Sequence, residues 1–66
     1  MEQLARQLQK LREDRQLSLR VLAELSGVSA SAISQIESSQ VSPSIATLEK
    51  LCLALGVHIG TLFDEP

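Results

Sequence analysis

The stretch LSLRVLAELSGVSASAISQIE, residues 17–37, decides the fold that this sequence predicts. Apolar positions at helical spacing predict one helix over residues 19–26, and Ser18 before it is a good N-cap. Gly27 allows the left-handed conformation that ends a helix at low cost. A second helix is predicted over residues 30–37. The central unit is therefore two short helices joined by a tight turn.

The second of these helices has two different faces. Ile33 and Ile36 are predicted to lie inward, and Val28 in the turn fills the gap between the helices. Ser29 is the predicted N-cap. The outward residues are small or polar, and they are Ala30, Ser31, Ser34 and Gln35. A helix, a tight turn and a second helix with such a face have a shape that fits the major groove of DNA.

Amphipathic helices are predicted on both sides of this unit. In residues 2–15 one face is formed by Leu4, Ala5, Leu8, Leu11 and Arg12. A polar loop that includes Ser42 ends at Pro43, after which Ser44 caps a helix through Leu55, and Gly56 ends it. The predicted core stripe of this helix is Ile45, Leu48, Leu51, Cys52 and Leu55.

A last short turn, Ile59 to Phe63, is expected to fold its apolar residues back on the core. The sequence thus predicts an all-α bundle of five short helices without strands. With 66 residues it forms a single domain, 1–66, because a chain of this length buries only one small core. Aromatic residues make up only 2% of the chain, so that core consists of aliphatic side chains.

Composition excludes several classes of protein. The single cysteine, Cys52, cannot form an internal disulfide and is interpreted as a core residue, and no His/Cys cluster has the spacing of a metal site. Apolar runs are too short for a membrane span, and no signal peptide is present, so we expect a cytoplasmic protein. The sequence shows no paired acid and base and no candidate nucleophile beside them. We therefore expect neither an enzyme nor a cofactor. His58 is expected to be a cap or an exposed side chain.

The charge of the chain argues against strong cationic binding of nucleic acid. The net charge is −2, whereas neutralisation of phosphates supplies most of the non-specific affinity for DNA. Four of the six basic residues lie in the first fifteen positions, interleaved with acids, and Arg20 opens the next helix. The local field is therefore only mildly positive.

These patterns together resemble the lambda-repressor/Cro-like family of helix-turn-helix DNA-binding domains, also called the XRE family. The resemblance covers Leu4 to Phe63. Its ordered elements are Leu8-x-x-Leu11-Arg12, Leu17-Ser18-Leu19-x-x-Leu22-Ala23, Gly27-Val28-Ser29-x-x-x-Ile33-Ser34-x-Ile36-Glu37, Pro43-Ser44-x-x-Thr47-Leu48-x-Lys50-Leu51 and Ala54-Leu55-Gly56-Val57.

The resemblance implies that residues 30–37 form the recognition helix. The positions that then face bases and nearby phosphates are Ser29, Ala30, Ser31, Ser34 and Gln35. Gln35 is the expected main base reader, because glutamine pairs bidentately with adenine, and the Ala30 methyl can contact a thymine methyl.

Phosphate contacts are expected around this helix. Ser18 and Ser29 lie at helix N-termini, where free amides favour a phosphate oxygen. Arg20 can reach the backbone or a base edge. The far side of the site is expected to consist of Ser42, Ser44 and Thr47.

Two features of the resemblance concern structure. It implies that Arg12 and Glu37 form an ion pair that ties the first helix to the end of the recognition helix. It also places Ser39 where the family usually has glycine. If the backbone there is left-handed, a residue other than glycine costs on the order of 1 kcal/mol.

The expected partners are double-stranded DNA and a second copy, since a two-fold dimer doubles the number of bases read on a palindromic operator. The expected function is a sequence-specific transcription regulator, with a repressor favoured. The alternative is an antitoxin-like or adaptor module that binds protein. Two further choices stay open: Leu53 is either an ordinary exposed residue or a subunit contact, and the chain is either a minimal regulator or the start of a longer one with a cupin-like sensor after Pro66.

Overall fold

The chain folds into four α-helices followed by a short 3-10 helix in the computed structural model, which describes residues 2–63. The helices are α1 (Glu2–Asp14), α2 (Leu19–Ser26), α3 (Ala30–Glu37) and α4 (Ile45–Leu55), and the 3-10 helix is Ile59–Phe63. The described residues contain no strand. The prediction of an all-α fold is confirmed, but the expected count of five helices is corrected to four α-helices, because the last segment is only a 3-10 helix.

Serine and glycine set the ends of the helices, as their intrinsic preferences predict. Ser18, Ser29 and Ser44 have extended backbones, and each side chain accepts a hydrogen bond of 3.0 to 3.1 Å from the amide three residues later. Gly27 and Gly56 end α2 and α4 with φ values of 77° and 74°. These local signals explain why the predicted bounds of α2, α3 and α4 agree with the structure.

The core is a single aliphatic cluster at the junction of the helices. Its fully buried large side chains are Leu8, Leu22, Ile33, Leu48, Leu51 and Leu62. Cys52 is buried beside them as predicted, and this burial, together with the charge of Glu49, raises the pKa of the Cys52 thiol. The thiol is therefore a neutral packing group.

Two predicted core residues lie outside the core. Ile45 is 60% exposed. It is the first residue of α4, and because helical side chains lean toward the N-terminus, it projects beyond the packed part of the helix. Phe63 is half-exposed, whereas Leu62 is buried. Residues three apart share a side of a 3-10 helix, so Ile59 and Leu62 face inward and Phe63 does not.

The helices are arranged so that α3 is supported from one side only. Helix α2 packs against both α3 and α4, α3 also contacts α1, and the 3-10 helix packs on α1 and α4. Gln3 and Gln7 of α1 donate hydrogen bonds of 3.3 and 3.4 Å to the carbonyls of Phe63 and Thr61. The opposite side of α3 is left open.

The turn after α3 contains a strained serine. Ser39 has φ of 61°, in the left-handed region, as expected for a position that is glycine in the family. Its neighbour Ser38 has an ordinary φ of −95°, and its hydroxyl donates hydrogen bonds to the carbonyls of Ser34 and Gln35. Gln16, after α1, also has a positive φ, of 57°, which the sequence analysis did not anticipate.

We expect Ser39→Gly to raise the free energy of unfolding by about 0.5 to 1 kcal/mol, because glycine removes the steric cost of the left-handed conformation. Ser38→Gly is the matched control. It should lower the free energy of unfolding by a similar amount, since it removes a hydrogen bond that the hydroxyl shares between two carbonyls and adds backbone freedom. Urea unfolding of both variants measures this difference, and a loss of stability in Ser39→Gly would contradict the strain.

Candidate nucleic-acid interface

The open side of α3 presents small and polar side chains. Ser31, Ser34 and Gln35 are exposed and share one face, since they are spaced by three and four residues. Ile33 and Ile36 are buried on the other side. The eight residues of α3 span about 12 Å. An α-helix with its side chains is about 10 to 12 Å across, which is similar to the width of the DNA major groove, about 12 Å.

The polar groups on this face are free to bind a ligand. Within residues 2–63 the side chains of Ser31, Ser34 and Gln35 form no hydrogen bond, and the amide of Gln35 offers both donors and an acceptor. The backbone carbonyl of Gln35, by contrast, accepts the amide of Gln40 over 2.9 Å. The backbone at the end of α3 is thus fixed, while the Gln35 side chain is available.

The serines that begin α2 and α3 have unused donors. The oxygens of Ser18 and Ser29 accept the amides of Val21 and Ala32 over 3.0 and 3.1 Å. Among the described residues the hydroxyl protons have no acceptor, so they can donate to an anion. Arg20, in the first turn of α2, is exposed.

The start of α4 offers a different arrangement. The Ser44 hydroxyl accepts the amide of Thr47 over 3.1 Å and donates to Thr47 Oγ1 over 3.0 Å. The proton of Ser44 is therefore occupied, and that of Thr47 is available. Ser42 is exposed in the preceding loop. None of the ten predicted contact residues is buried. The ten residues are Ser18, Arg20, Ser29, Ala30, Ser31, Ser34, Gln35, Ser42, Ser44 and Thr47.

Helix α3 is fixed at its C-terminal end by a bidentate ion pair. Arg12 Nε and Nη2 donate to the two carboxylate oxygens of Glu37 over 2.8 and 3.0 Å, and the side chains are only 12% and 9% exposed. Arg12 Nη1 also donates to the carbonyl of Leu17 over 2.8 Å. The hydrogen bond with Glu37 raises the pKa of Arg12 despite the opposing effect of burial. The pair that the resemblance implies is therefore formed.

A second arginine contact was missed by the sequence analysis. Arg15 Nε donates to the carbonyl of Leu55, at the end of α4, over 2.8 Å, and its Nη1 donates to the carbonyl of Leu11 over 3.1 Å. The contact with Leu55 joins the ends of α1 and α4. No local pattern marks it, because the two residues are forty positions apart.

Most arginines among the described residues form ion pairs or hydrogen bonds with other groups of the same chain. Arg6 pairs with Glu2 over 2.6 Å, Arg12 with Glu37, and Arg15 with carbonyls. Helices α2 and α3 contain one cation, Arg20, and no Lys or Arg lies on the open face of α3. Contacts with an anion on this side must rely mainly on neutral donors.

Other kinds of site are not found in the described part of the chain. No helix of residues 2–63 is both long and apolar enough to cross a membrane. No group of three or more His, Cys, Asp or Glu side chains there is placed to hold a metal ion. His58 is exposed, as expected.

Comparison with known sequences gives one family and several relatives. A family model described as a helix-turn-helix domain matches residues 3–65. The chain is 46% identical over 61 residues to the HTH-type transcriptional regulator PuuR of Escherichia coli, covering 92% of this chain and 33% of that protein. It is 40% identical over 63 residues to the regulator SinR of Bacillus subtilis, covering 94% of this chain and 57% of that protein. The chain thus spans about a third of the length of PuuR.

Solved structures give the same result. The fold is similar to an HTH_3 family transcriptional regulator from Vibrio cholerae, with a TM-score of 0.91, 44% identity, and coverage of 94% of this chain and 35% of that one. It is also similar to the restriction-modification controller protein C.AhdI from Aeromonas hydrophila, with a TM-score of 0.91, 32% identity, and coverage of 94% of both chains.

We expect Arg12→Met to lower the free energy of unfolding by about 3 kcal/mol, because it leaves the carboxylate of Glu37 without its partner in a largely buried position. Arg6→Met is the matched control, since Arg6 also forms an ion pair but is mostly exposed. It should change stability by less than about 0.5 kcal/mol. Chemical unfolding compares the two, and equal losses would contradict the special role of Arg12.

Proposed function

The chain belongs to the helix-turn-helix domain family, of the lambda-repressor/Cro-like or XRE type, and on this premise we propose that it regulates transcription by binding a specific site in duplex DNA. Helix α3 enters the major groove in this proposal. The observation that carries it is the open face of α3, where Ser31, Ser34 and Gln35 are exposed with unpaired polar groups. Polar side chains of this kind, on the open face of an α-helix, are suited to reading base edges in the major groove.

Gln35 is the proposed main base reader. Its side-chain amide can donate a hydrogen bond to N7 of adenine and accept one from the N6 amino group at the same time. This is the bidentate pairing that glutamine makes with adenine. Ala30 and Ser31, at the start of α3, are proposed to contact bases next to it. Ser34 lies one residue before Gln35 and shares its face.

Neutral donors are proposed to hold the phosphates. Ser18 and Ser29 have available hydroxyl protons beside the amides of helix N-termini, where the helix dipole favours an anion. Thr47 has the available proton at the start of α4, and Ser44 orients it. Ser42 extends this group in the loop, and Arg20 supplies the charge. Such contacts fix the position of α3 on the duplex without reading sequence.

The wider role follows from these contacts. We propose that the protein binds a palindromic site as a homodimer and acts as a repressor in the cytoplasm. Its proposed activity is binding and not catalysis, and it needs no cofactor. Residues 1–66 form one DNA-binding domain in this proposal, although Met1 and residues 64–66 lie outside the described residues. PuuR and SinR are longer than this chain. We also propose that the native protein is longer and has a cupin-like sensor domain after Pro66. Measuring the mass of the native protein tests this proposal.

A second function is favoured by two observations. The net charge of −2 and the exposed Leu53 suit an antitoxin-like or adaptor module that binds protein. A stoichiometric protein partner in a pull-down, together with no binding to any DNA at low salt, would establish that function instead.

We expect Gln35→Ala to weaken binding to the selected site by about 1 to 3 kcal/mol and to leave binding to random DNA unchanged, because only base contacts carry sequence information. The site is first obtained by selection from random duplexes. Gln9→Ala is the matched control, since Gln9 is an exposed glutamine on α1 that bonds only to Glu13. Equal weakening on selected and random DNA would contradict base reading by Gln35.

Arg20→Ala should weaken binding to selected and random DNA alike. It should also make the slope of log affinity against log salt concentration less steep by about 1, since one phosphate contact is lost. Lys10→Ala removes an exposed cation from α1 and serves as the control, with an unchanged slope. If Arg20→Ala instead weakens binding to the selected site alone, then Arg20 reads a base.

A further inference from the structure

The open face of α3 contains one group that can form two hydrogen bonds with a single base. The side-chain amide of Gln35 is exposed, has both donors and an acceptor, and forms no hydrogen bond within residues 2–63. Ser31 and Ser34 each offer one hydroxyl group, and Ala30 offers only a methyl group. Under the proposed function, strong recognition of a base by α3 therefore depends on the Gln35 amide.

No charged group of α3 can replace this amide. The one charged residue of the helix is Glu37, and Arg12 donates to both of its carboxylate oxygens over 2.8 and 3.0 Å. With only 9% of its side chain exposed, Glu37 cannot also accept a hydrogen bond from the amino group of cytosine. The helix has no arginine or lysine for the two acceptors of guanine. Adenine is therefore the base that α3 is equipped to bind with two hydrogen bonds.

The backbone that carries Gln35 is fixed by several contacts. Its carbonyl accepts the amide of Gln40 over 2.9 Å and the hydroxyl of Ser38 over 3.3 Å. Ile33 and Ile36, two residues before it and one residue after it, are buried in the core. A shift of the helix would break these contacts, so it cannot relieve a clash between Gln35 and a changed base edge.

The edge of adenine offers one hydrogen to the oxygen of this amide. In an A·T pair one hydrogen of the N6 amino group bonds to O4 of thymine, and the other points into the major groove beside the N7 acceptor. A methyl group on N6 takes the place of the groove hydrogen as long as the pair is kept. The amide oxygen of Gln35 then faces a methyl group, so it loses its donor and is crowded. An acceptor left without a partner costs more than the net contribution of a hydrogen bond.

We propose that the protein binds its site tightly only when the adenine opposite Gln35 has no methyl group on N6, so that the methylation state of the DNA regulates binding. This inference rests on the proposed function and on Gln35 as the base reader. The ligand is then duplex DNA with an unmodified adenine in the part of each half-site that α3 contacts. Methylated DNA keeps its phosphates, so specific binding is lost and non-specific binding remains.

Two synthetic duplexes of the selected site test the proposal, one unmodified and one with N6-methyladenine at the position that Gln35 reads in both half-sites. A scan of base replacements locates this position, because replacement there weakens binding of the wild type and not of Gln35→Ala. We expect the methyl group to weaken binding of the wild type about tenfold or more. Gln35→Ala should bind both duplexes equally, since alanine places no acceptor beside N6. Gln9→Ala is the matched control and should be as sensitive as the wild type.

A third duplex, with 7-deazaadenine at the same position, separates the loss of a hydrogen bond from crowding by the methyl group. It lacks the N7 acceptor and adds no group, so it should weaken binding of the wild type and not of Gln35→Ala. Full affinity of the wild type for this duplex would contradict the bidentate contact on which the proposal depends.

Two results with the methylated duplex overturn the proposal while DNA binding stands. One is equal affinity of the wild type for methylated and unmodified sites. The other is equal sensitivity of the wild type and Gln35→Ala, since the methyl group then acts through the shape of the duplex. If the wild type prefers no duplex over random DNA, the proposed function itself fails.

Discussion

The structure depends on the hydrogen bonds made by one side chain, the guanidinium of Arg12. It joins α1, the turn at Leu17 and the last residue of α3, Glu37, by three hydrogen bonds of 2.8 to 3.0 Å. A small aliphatic core drives the helices together, but such packing has little directionality. A bidentate arginine–carboxylate contact has a fixed geometry. The packing of Ile33 and Ile36 therefore holds α3 in the fold, and the contact with Arg12 fixes its direction.

This use of arginine affects the proposed interface. Arg12 is largely buried against Glu37, Arg15 donates to two backbone carbonyls, and Arg20 is the one cation of α2 and α3. The proposed DNA contacts must then come mainly from hydroxyl groups, the Gln35 amide and helix N-termini. These are weaker than charged contacts. Weak contacts by one copy make the proposed association of two copies more important for affinity.

Much of this structure could be predicted from local sequence. The starts of α2, α3 and α4 follow from serine caps, and the ends of α2 and α4 follow from glycines, all of which act within one helical turn. The family pattern marked Ser39 as a position where a left-handed backbone would be costly, and the structure shows that backbone. What could not be predicted depends on distant residues or on helix ends. The contact of Arg15 with Leu55 requires the assembled fold, and Ile45 has the right spacing for the core but lies beyond the packed region. The polar positions of α3 could be named from sequence, whereas the available proton of Thr47 required coordinates.

A mildly acidic chain can still be an effective regulator under the proposed function. Most binding to random DNA comes from phosphate neutralisation, so a surface with few free cations binds random sequences weakly. The base contacts that we propose for Gln35 would be made only at the correct site and lost elsewhere. Regulation depends on the ratio of specific to non-specific affinity, since random sites are far more numerous. An uncharged face of α3 lowers the non-specific affinity more than the specific affinity. Under the proposed function, the neutral face of α3 favours selectivity over strength, and the proposed homodimer restores affinity at palindromic sites.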